Sequence, residues 1–252
     1  MYSRRWFTSI GWFLLLVING VLVFVGVPTV WTAWEVLHSS RSRFLWAQRF
    51  ALPDLAQRVM FREADRQLAP NNERTVFIGD SITTRWNLAE SFPARPYVNR
   101  GIPGQTSTQI LLRFRQDVID LHPAAVVILA GVNDLNLGLD SASVETIEEN
   151  YEDMADLAIA NEIRPVFATI LPVNTEVVKP HPLVRTHPNA AIRTIDAWLR
   201  AYCARRRIEL IDFADAMQMP NGQLRPEYSD DGLHPNAAGY RAMSSIAMPR
   251  LR

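Results

Sequence analysis

Twenty-nine consecutive residues between Arg5 and Glu35 contain no Asp, Glu, Lys, Arg or His. The most apolar part, Ile10 to Val30, is long enough as a helix to cross a hydrocarbon core of roughly 30 Å. Trp6 and Trp12 stand near one end and Trp31 and Trp34 near the other, where amphipathic rings favour the headgroup zone. A cleaved export signal is the alternative, but the run is long and lacks a clear small-x-small site followed by a polar start. The pattern predicts a short tail over 1–9 and a transmembrane helix or signal anchor over 10–34, with a lipid bilayer as its partner. Arg4 and Arg5 precede the span while Arg41, Arg43 and Arg49 follow it, so charge bias hardly sets its direction. An uncleaved export signal would make this a single-pass membrane protein with its large domain on the extracytoplasmic side.

From His38 to Pro70 the chain turns polar and amphipathic. Phe44, Leu45, Leu52, Leu55, Val59 and Met60 recur at helical spacings around Pro53. This predicts a juxtamembrane helical linker over 35–72, acting as a spacer, a helix on the membrane surface, or a layer packed on the domain that follows over 73–252. Within that domain, apolar runs and helical periodicities alternate. Strands are expected at Thr75–Ile78, Arg95–Asn99, Ala124–Ala130, Arg164–Leu171 and Glu209–Phe213. Helices are expected at Ser107–Leu121, Ser143–Asn161, Asn189–Arg206 and Asn236–Ala247. The run Ala124–Ala130 is apolar almost throughout, as a strand covered on both faces should be. Such alternation argues for an α/β domain with a mostly parallel sheet between helical layers.

Composition narrows the functional classes. Beyond residue 35 the chain carries 25 acidic and 24 basic residues, so a basic nucleic-acid footprint is not supported. One cysteine, Cys203, excludes an internal disulfide framework and a cysteine-rich metal cluster. Gly101-x-x-Gly104 is too short for a dinucleotide fingerprint, and no Gly-Lys-Ser/Thr phosphate loop occurs. Neither a cofactor nor a metal is expected.

Polar residues gather where strands end, the place at which an open α/β sheet binds ligands. Gly79-Asp80-Ser81-Ile82-Thr83 follows the first strand, Asn99-Arg100-Gly101-Ile102-Pro103-Gly104-Gln105 the second, and Gly131-Val132-Asn133-Asp134 the third. The last loop holds Asp230-Asp231-Gly232-Leu233-His234. A hydroxyl, an imidazole and a carboxylate are the minimum set for hydrolysis through an acyl-enzyme. Taken singly, each block also reads as a turn or a helix cap; together, each just past a strand, they point to chemistry. Elsewhere, Lys179, His181 and His187 lie in the long connection Pro172–Asn189, which reads as a wrapped surface loop or a cover over the pocket. Arg85 and Trp86 could rim the pocket, and His122 caps a helix end.

These four blocks, in this order between about Glu73 and Ala247, resemble the SGNH hydrolases, also called the GDSL esterase/lipase superfamily. Ile82 replaces the usual Leu after Gly-Asp-Ser. The resemblance implies a flavodoxin-like three-layer α/β/α sandwich with a five-stranded parallel sheet. It implies Ser81 as nucleophile, His234 as base and Asp231, at the three-residue spacing that Asp230 lacks, as the acid that holds the imidazole. It also implies an oxyanion hole from the backbone N–H groups of Ser81 and Gly101 and the Asn133 amide. The expected activity is serine-dependent hydrolysis of a small acyl or acetyl ester. Lysophospholipase or acyl-thioesterase activity is the enzymatic alternative, and a carbohydrate-binding or acyl-transfer module the alternative of another class. The expected partner at the site is a small-molecule, lipid or glycan ester.

Overall fold

A computed structural model describes residues 54–137, 141–182, 184 and 188–251. The expected membrane span over 10–34 lies outside these residues, as does His187. Among the described residues no helix is long and apolar enough to cross a membrane. The chain from Ala56 onward forms one compact unit, so residues 56–72 of the expected linker count with the domain. They include a short helix, α1 (Arg62–Arg66).

Five strands form one parallel sheet, β1 (Thr75–Gly79), β2 (Tyr97–Gly101), β3 (Ala125–Leu129), β4 (Arg164–Ala168) and β5 (Glu209–Ile211), in the order β2-β1-β3-β4-β5. Every residue of β1 and β3 is buried, which is why both read in the sequence as near-continuous apolar runs. Connections between parallel strands must cross over, and here they do so through α2 (Ser81–Thr84), α3 (Leu88–Ser91), α4 (Ser107–Leu112), α5 (Phe114–Asp117), α6 (Ser141–Ala160) and α7 (Asn189–Arg206). After β5 come α8 (Phe213–Met217) and α9 (Ala237–Ala247). The helices cover both faces, giving a three-layer sandwich. On one face α6 buries Ile147, Tyr151, Met154, Ala155 and Ala158, while α7 buries Ile192, Ile195, Leu199 and Tyr202, in each case a stripe at three- and four-residue spacing. Tyr151 meets Phe167 of β4 edge-on at 4.9 Å. On the other face Trp86 packs among Phe77, Phe92, Phe213 and Tyr240.

Strand and helix ends differ from the sequence expectation for local reasons. β2 begins at Tyr97 and not Arg95, because Pro96 has no N–H to give a ladder. β4 stops at Ala168: two residues on, the Ile170 N–H turns to the buried Asp196 carboxylate at 2.8 Å. Asp212 leaves β5 to cap α8, accepting from Asp215 N–H. The expected helix Ser107–Leu121 is broken at Arg113 into α4, α5 and a 3₁₀ turn over Ile119–Leu121.

Arg113 explains the break. Its side chain is fully buried, and its guanidinium donates to Gly79 O at 3.0 Å, Arg100 O at 2.8 Å, Gln105 Oε1 at 2.6 Å and Asp117 Oδ2 at 2.7 Å. One side chain therefore ties the carboxyl end of β1 to that of β2 and to the loop beyond it. Substituting Arg113 by Met should destabilise the fold by roughly 3–5 kcal/mol, since Asp117 would be left as a buried, unpaired charge. Urea unfolding followed by tryptophan fluorescence measures this, and a midpoint shift worth under about 1 kcal/mol would contradict the structural role.

Candidate active site

In the order β2-β1-β3-β4-β5 the chain leaves β1 in one direction and returns on its other side at β3. The crevice at the carboxyl ends of β1 and β3 is thus the switch point where this architecture binds ligands. The blocks Asp80-Ser81 and Gly131-Val132-Asn133 emerge at that crevice.

Ser81 opens α2, directly after Asp80, whose carboxylate caps the helix by accepting Ile82 N–H at 2.9 Å. The hydroxyl lies 3.0 Å from His234 Nε2, and His234 Nδ1 lies 2.7 Å from Asp231 Oδ2. The three-residue spacing of Asp231 and His234 works through the backbone as well. Asp231 Oδ1 accepts the N–H groups of Leu233 at 2.9 Å and His234 at 2.8 Å, so the loop folds around its own carboxylate. Ser229 Oγ donates to His234 O at 2.8 Å and fixes the loop from the other side. Asp230 lies outside this arrangement and accepts instead from Asn236 Nδ2.

Electrostatics follow from these contacts. Burial pushes the Asp231 carboxyl up, but the hydrogen bonds from the His234 ring and from the His234 and Leu233 backbone outweigh it and hold the group at about 2. Burial pulls His234 below its ordinary 6.5, with Asp231 acting in the opposite sense and the charge of Arg85 reinforcing the depression. The imidazole is therefore neutral at pH 7, the state in which a base can take a proton. Beside the serine, burial raises the fully enclosed Asp80 carboxyl to about 7, with the nearby Asp134 adding to the rise.

The structure brings Asn133 to the same place: its Nδ2 donates to Gln105 O at 3.0 Å and lies 3.3 Å from Asp80 Oδ2. Gly101 behaves otherwise. Its N–H is taken by the Asn99 side chain, at 2.8 Å from Oδ1, so Gly101 does not supply the free donor expected of it. Its lack of a side chain serves packing, because a Cβ there would lie 2.3 Å from Thr84 N and 2.8 Å from Asp80 O. Three residues on, Gly104 holds a positive φ of 76°, with nothing within 4 Å of where a Cβ would stand. Among the described residues neither the Ser81 nor the Gly104 N–H has a hydrogen-bond partner in the protein.

Several neighbours had no role assigned from sequence beyond their place in a loop. His181 sets its ring edge-on to the His234 ring at 5.2 Å, and its N–H donates to Asp231 O at 2.8 Å. Part of the Pro172–Asn189 connection therefore packs on the histidine loop. Asp134 is buried and accepts from Ser107 N–H and Oγ. Gln105 and Arg113 stand behind the loop that carries Gly104. The sequence signal for Gly104 was its place in a Gly-Gln-Thr turn just before a capped helix, where a positive φ is common; for Arg113 there was none. Among the described residues no group of three or more His, Cys, Asp or Glu side chains is arranged to hold a metal.

Comparison with known proteins places the fold in a family. Residues 77–242 match the model of the GDSL-like lipase/acylhydrolase family. The chain is similar to a GDSL-like lipase structure from Bacteroides thetaiotaomicron, with 33% identity, TM-score 0.69, and coverage of 78% of this chain and 97% of that one. It is also similar to an acylhydrolase-like structure from Bacteroides fragilis, at 32% identity and TM-score 0.71, over 79% of this chain and 97% of that one. Among curated proteins it is 27% identical over 186 residues to an N-acylneuraminate cytidylyltransferase of Streptococcus agalactiae, which covers 73% of this chain but only 40% of that protein. The chain thus spans well under half the length of the streptococcal relatives it matches.

By NMR the His234 ring should titrate below 6.5. Replacing Asp231 by Asn removes the charge that raises it and should move its midpoint lower still. An upward move in that variant would show that the imidazole is not paired with this carboxylate.

Proposed function

We propose that this chain, which belongs to the GDSL-like lipase/acylhydrolase family, is an ester hydrolase that cleaves a small acyl or acetyl ester through an acyl-enzyme on Ser81. The observation that carries the reading is the continuous relay from Ser81 Oγ through His234 to Asp231, at 3.0 and 2.7 Å.

In this reading His234 Nε2 takes the Ser81 proton as Oγ attacks the ester carbonyl carbon. The carbonyl oxygen becomes an oxyanion, and its collapse breaks the bond to the alcohol, which leaves with the proton from His234 Nε2. Water then attacks the acyl-serine and gives its proton to His234. The second collapse frees the acid and returns the proton to Ser81 Oγ. Asp231 stays ionised throughout and holds the ring in the tautomer whose Nε2 faces the serine. For the oxyanion, the unpartnered N–H groups of Ser81 and Gly104 support a role as donors, and Gly104 replaces Gly101 in the assignment. Asn133 completes the set. One of its amide hydrogens is anchored on Gln105 O, while the other makes only a long 3.3 Å approach to Asp80 and is the one available to substrate.

A short acyl group fits the polar groups gathered at the serine, among them Asn133, Asp80 and the neighbouring His181. The name of the streptococcal relatives adds an acylated sugar acid to the substrates worth testing. The uncharged stretch between Arg5 and Glu35 supports an enzyme held at a membrane, and an uncleaved export signal there would put its domain outside. On that reading the full chain should stay in the membrane fraction through carbonate extraction. Release of the intact chain into the soluble fraction would remove the anchor.

Turnover of p-nitrophenyl acetate should vanish in Ser81→Ala with the fold intact by circular dichroism. Losing the Asn133 donor, as Ala, should lower kcat by about 10²–10³, or roughly 3–4 kcal/mol in transition-state stabilisation. An Asn133→Ala enzyme with unchanged kcat/KM would exclude the amide from the oxyanion site. A panel of p-nitrophenyl acetate, the octanoate, an O-acetylated sugar, an O-acetylated N-acylneuraminate, an acyl-thioester and a lysophospholipid separates the substrate classes. Best turnover on the lysophospholipid or the thioester would replace the small-ester reading. Acylated acceptor without free acid would point to transfer, and no Ser81-dependent turnover with no fluorophosphonate labelling would point to binding alone.

A further inference from the structure

The segment Ala56–Arg66 precedes the first strand and carries none of the four sequence blocks, yet it grips the loop that the proposed oxyanion donors depend on. At the start of that loop, the Arg100 side chain is 6% exposed and pairs through Nη2 with Asp65 of α1. The Phe61 ring covers the same guanidinium, 4.7 Å from ring centroid to Cζ. Asp65 is the acid in ion-pair contact with Arg100 among the described residues, and Arg100 Nε is buried there without a hydrogen-bond partner. At the end of the loop, Gln105 is 1% exposed. Its Nε2 donates to Ala56 O at 2.8 Å and its Oε1 accepts from Arg113, while its own carbonyl receives Asn133 Nδ2. Gly104 is the residue before it.

We propose that Ala56–Arg66 is a positioning clasp for the oxyanion loop, holding Arg100 at one end and Gln105 at the other, so that the Gly104 N–H and the Asn133 amide are set by contacts on the far side of the loop. The inference rests on the serine-esterase reading of the site. None of the clasp residues touches substrate; Asp65, Phe61 and Ala56 act through Arg100 and Gln105. Without Asp65 the Arg100 cation is buried beside the backbone without its counter-charge, a state that relaxes only if the side chain moves out and takes the loop with it. Displacing a donor by a fraction of an ångström weakens stabilisation of the transition state more than binding of the ester.

The test uses the full chain with p-nitrophenyl acetate, assayed well below each variant's Tm, and compares Asp65→Ala, Phe61→Ala, the double variant and Asp65→Glu. A clasp predicts that kcat falls about tenfold in the double variant with KM within about twofold. Affinity for an alkyl boronate, which forms a tetrahedral serine adduct, should fall in parallel. Asp65→Glu, which keeps the charge, should recover most of the loss. Where the double variant fails to fold, Asp65→Asn removes the charge at constant volume and is read by the same split. A kcat within about twofold of wild type, whatever happens to Tm, overturns the clasp, and so does a change confined to KM. Ser81→Ala is run beside them: activity surviving in it sinks the serine reading, whereas an inactive Ser81→Ala with unchanged kcat in the clasp variants sinks the clasp alone.

Discussion

The loops carrying Ser81 and Gly104 leave the carboxyl ends of neighbouring strands, β1 and β2, and must keep a fixed relation beyond the point where the ladder ends at Gly79 and Gly101. The fully buried Arg113 guanidinium meets that constraint by donating at once to Gly79 O, Arg100 O and Gln105 Oε1, with Asp117 as its counter-charge. A guanidinium suits the task because its donors lie in one fixed plane, and it stays protonated even though burial pulls its pKa down. The irregular path between α4 and α5 is the local consequence: a straight helix would have left Arg113 on a periodic face, whereas the break sends it under the sheet ends. Ser81, Gly101 and Gly104 all take their positions relative to groups that this one side chain holds.

The relay at the other side of the crevice is built on different physics. Asp231 is only partly enclosed, and it stays ionised because two backbone N–H groups and an imidazole all donate to it. Asp80, one residue from the serine, is fully enclosed and accepts one backbone N–H, so desolvation wins and its pKa rises to about 7. Two aspartates near one serine thus have pKa values driven in opposite directions by environment alone. The carboxylate paired with the His234 ring is the one kept anionic. Asp80, beside the Asn133 amide, is about half protonated at pH 7, so in the proposed mechanism its charge opposes a developing oxyanion less than a full carboxylate would.

The sheet was legible in the sequence because parallel strands buried on both faces read as apolar runs, and the chemistry was legible because its blocks fall just past those runs. The arrangement Ser81–His234–Asp231 was expected from the resemblance that the order and spacing of those blocks carry. Gly101 was different. Whether a backbone N–H is free depends on what folds back onto it, and here Asn99 does, a contact between residues two apart that no pattern of apolar and polar positions encodes. Arg113 sat in a helical periodicity where an arginine ordinarily faces water, and its burial is visible only once the three acceptors are assembled. His181 lay in a proline-rich connection that reads as a wrapped surface loop or a cover over the pocket, and its ring meets His234 while its own N–H is fixed to Asp231 O.

Buried ion pairs are rarely efficient stabilisers, since desolvation offsets most of their attraction. This domain nonetheless places two of them, Arg113–Asp117 and Arg100–Asp65, behind a single loop. An apolar filling of the same volume could hold the loop down, but it could slide, because dispersion has little directional preference. Guanidinium groups hydrogen-bonded to named carbonyls fix the loop in register as well as in depth. That distinction matters at an oxyanion site, where the stabilisation available depends on donors standing at the position the charge will occupy. In the proposed mechanism the charge pairs therefore serve geometry as well as stability.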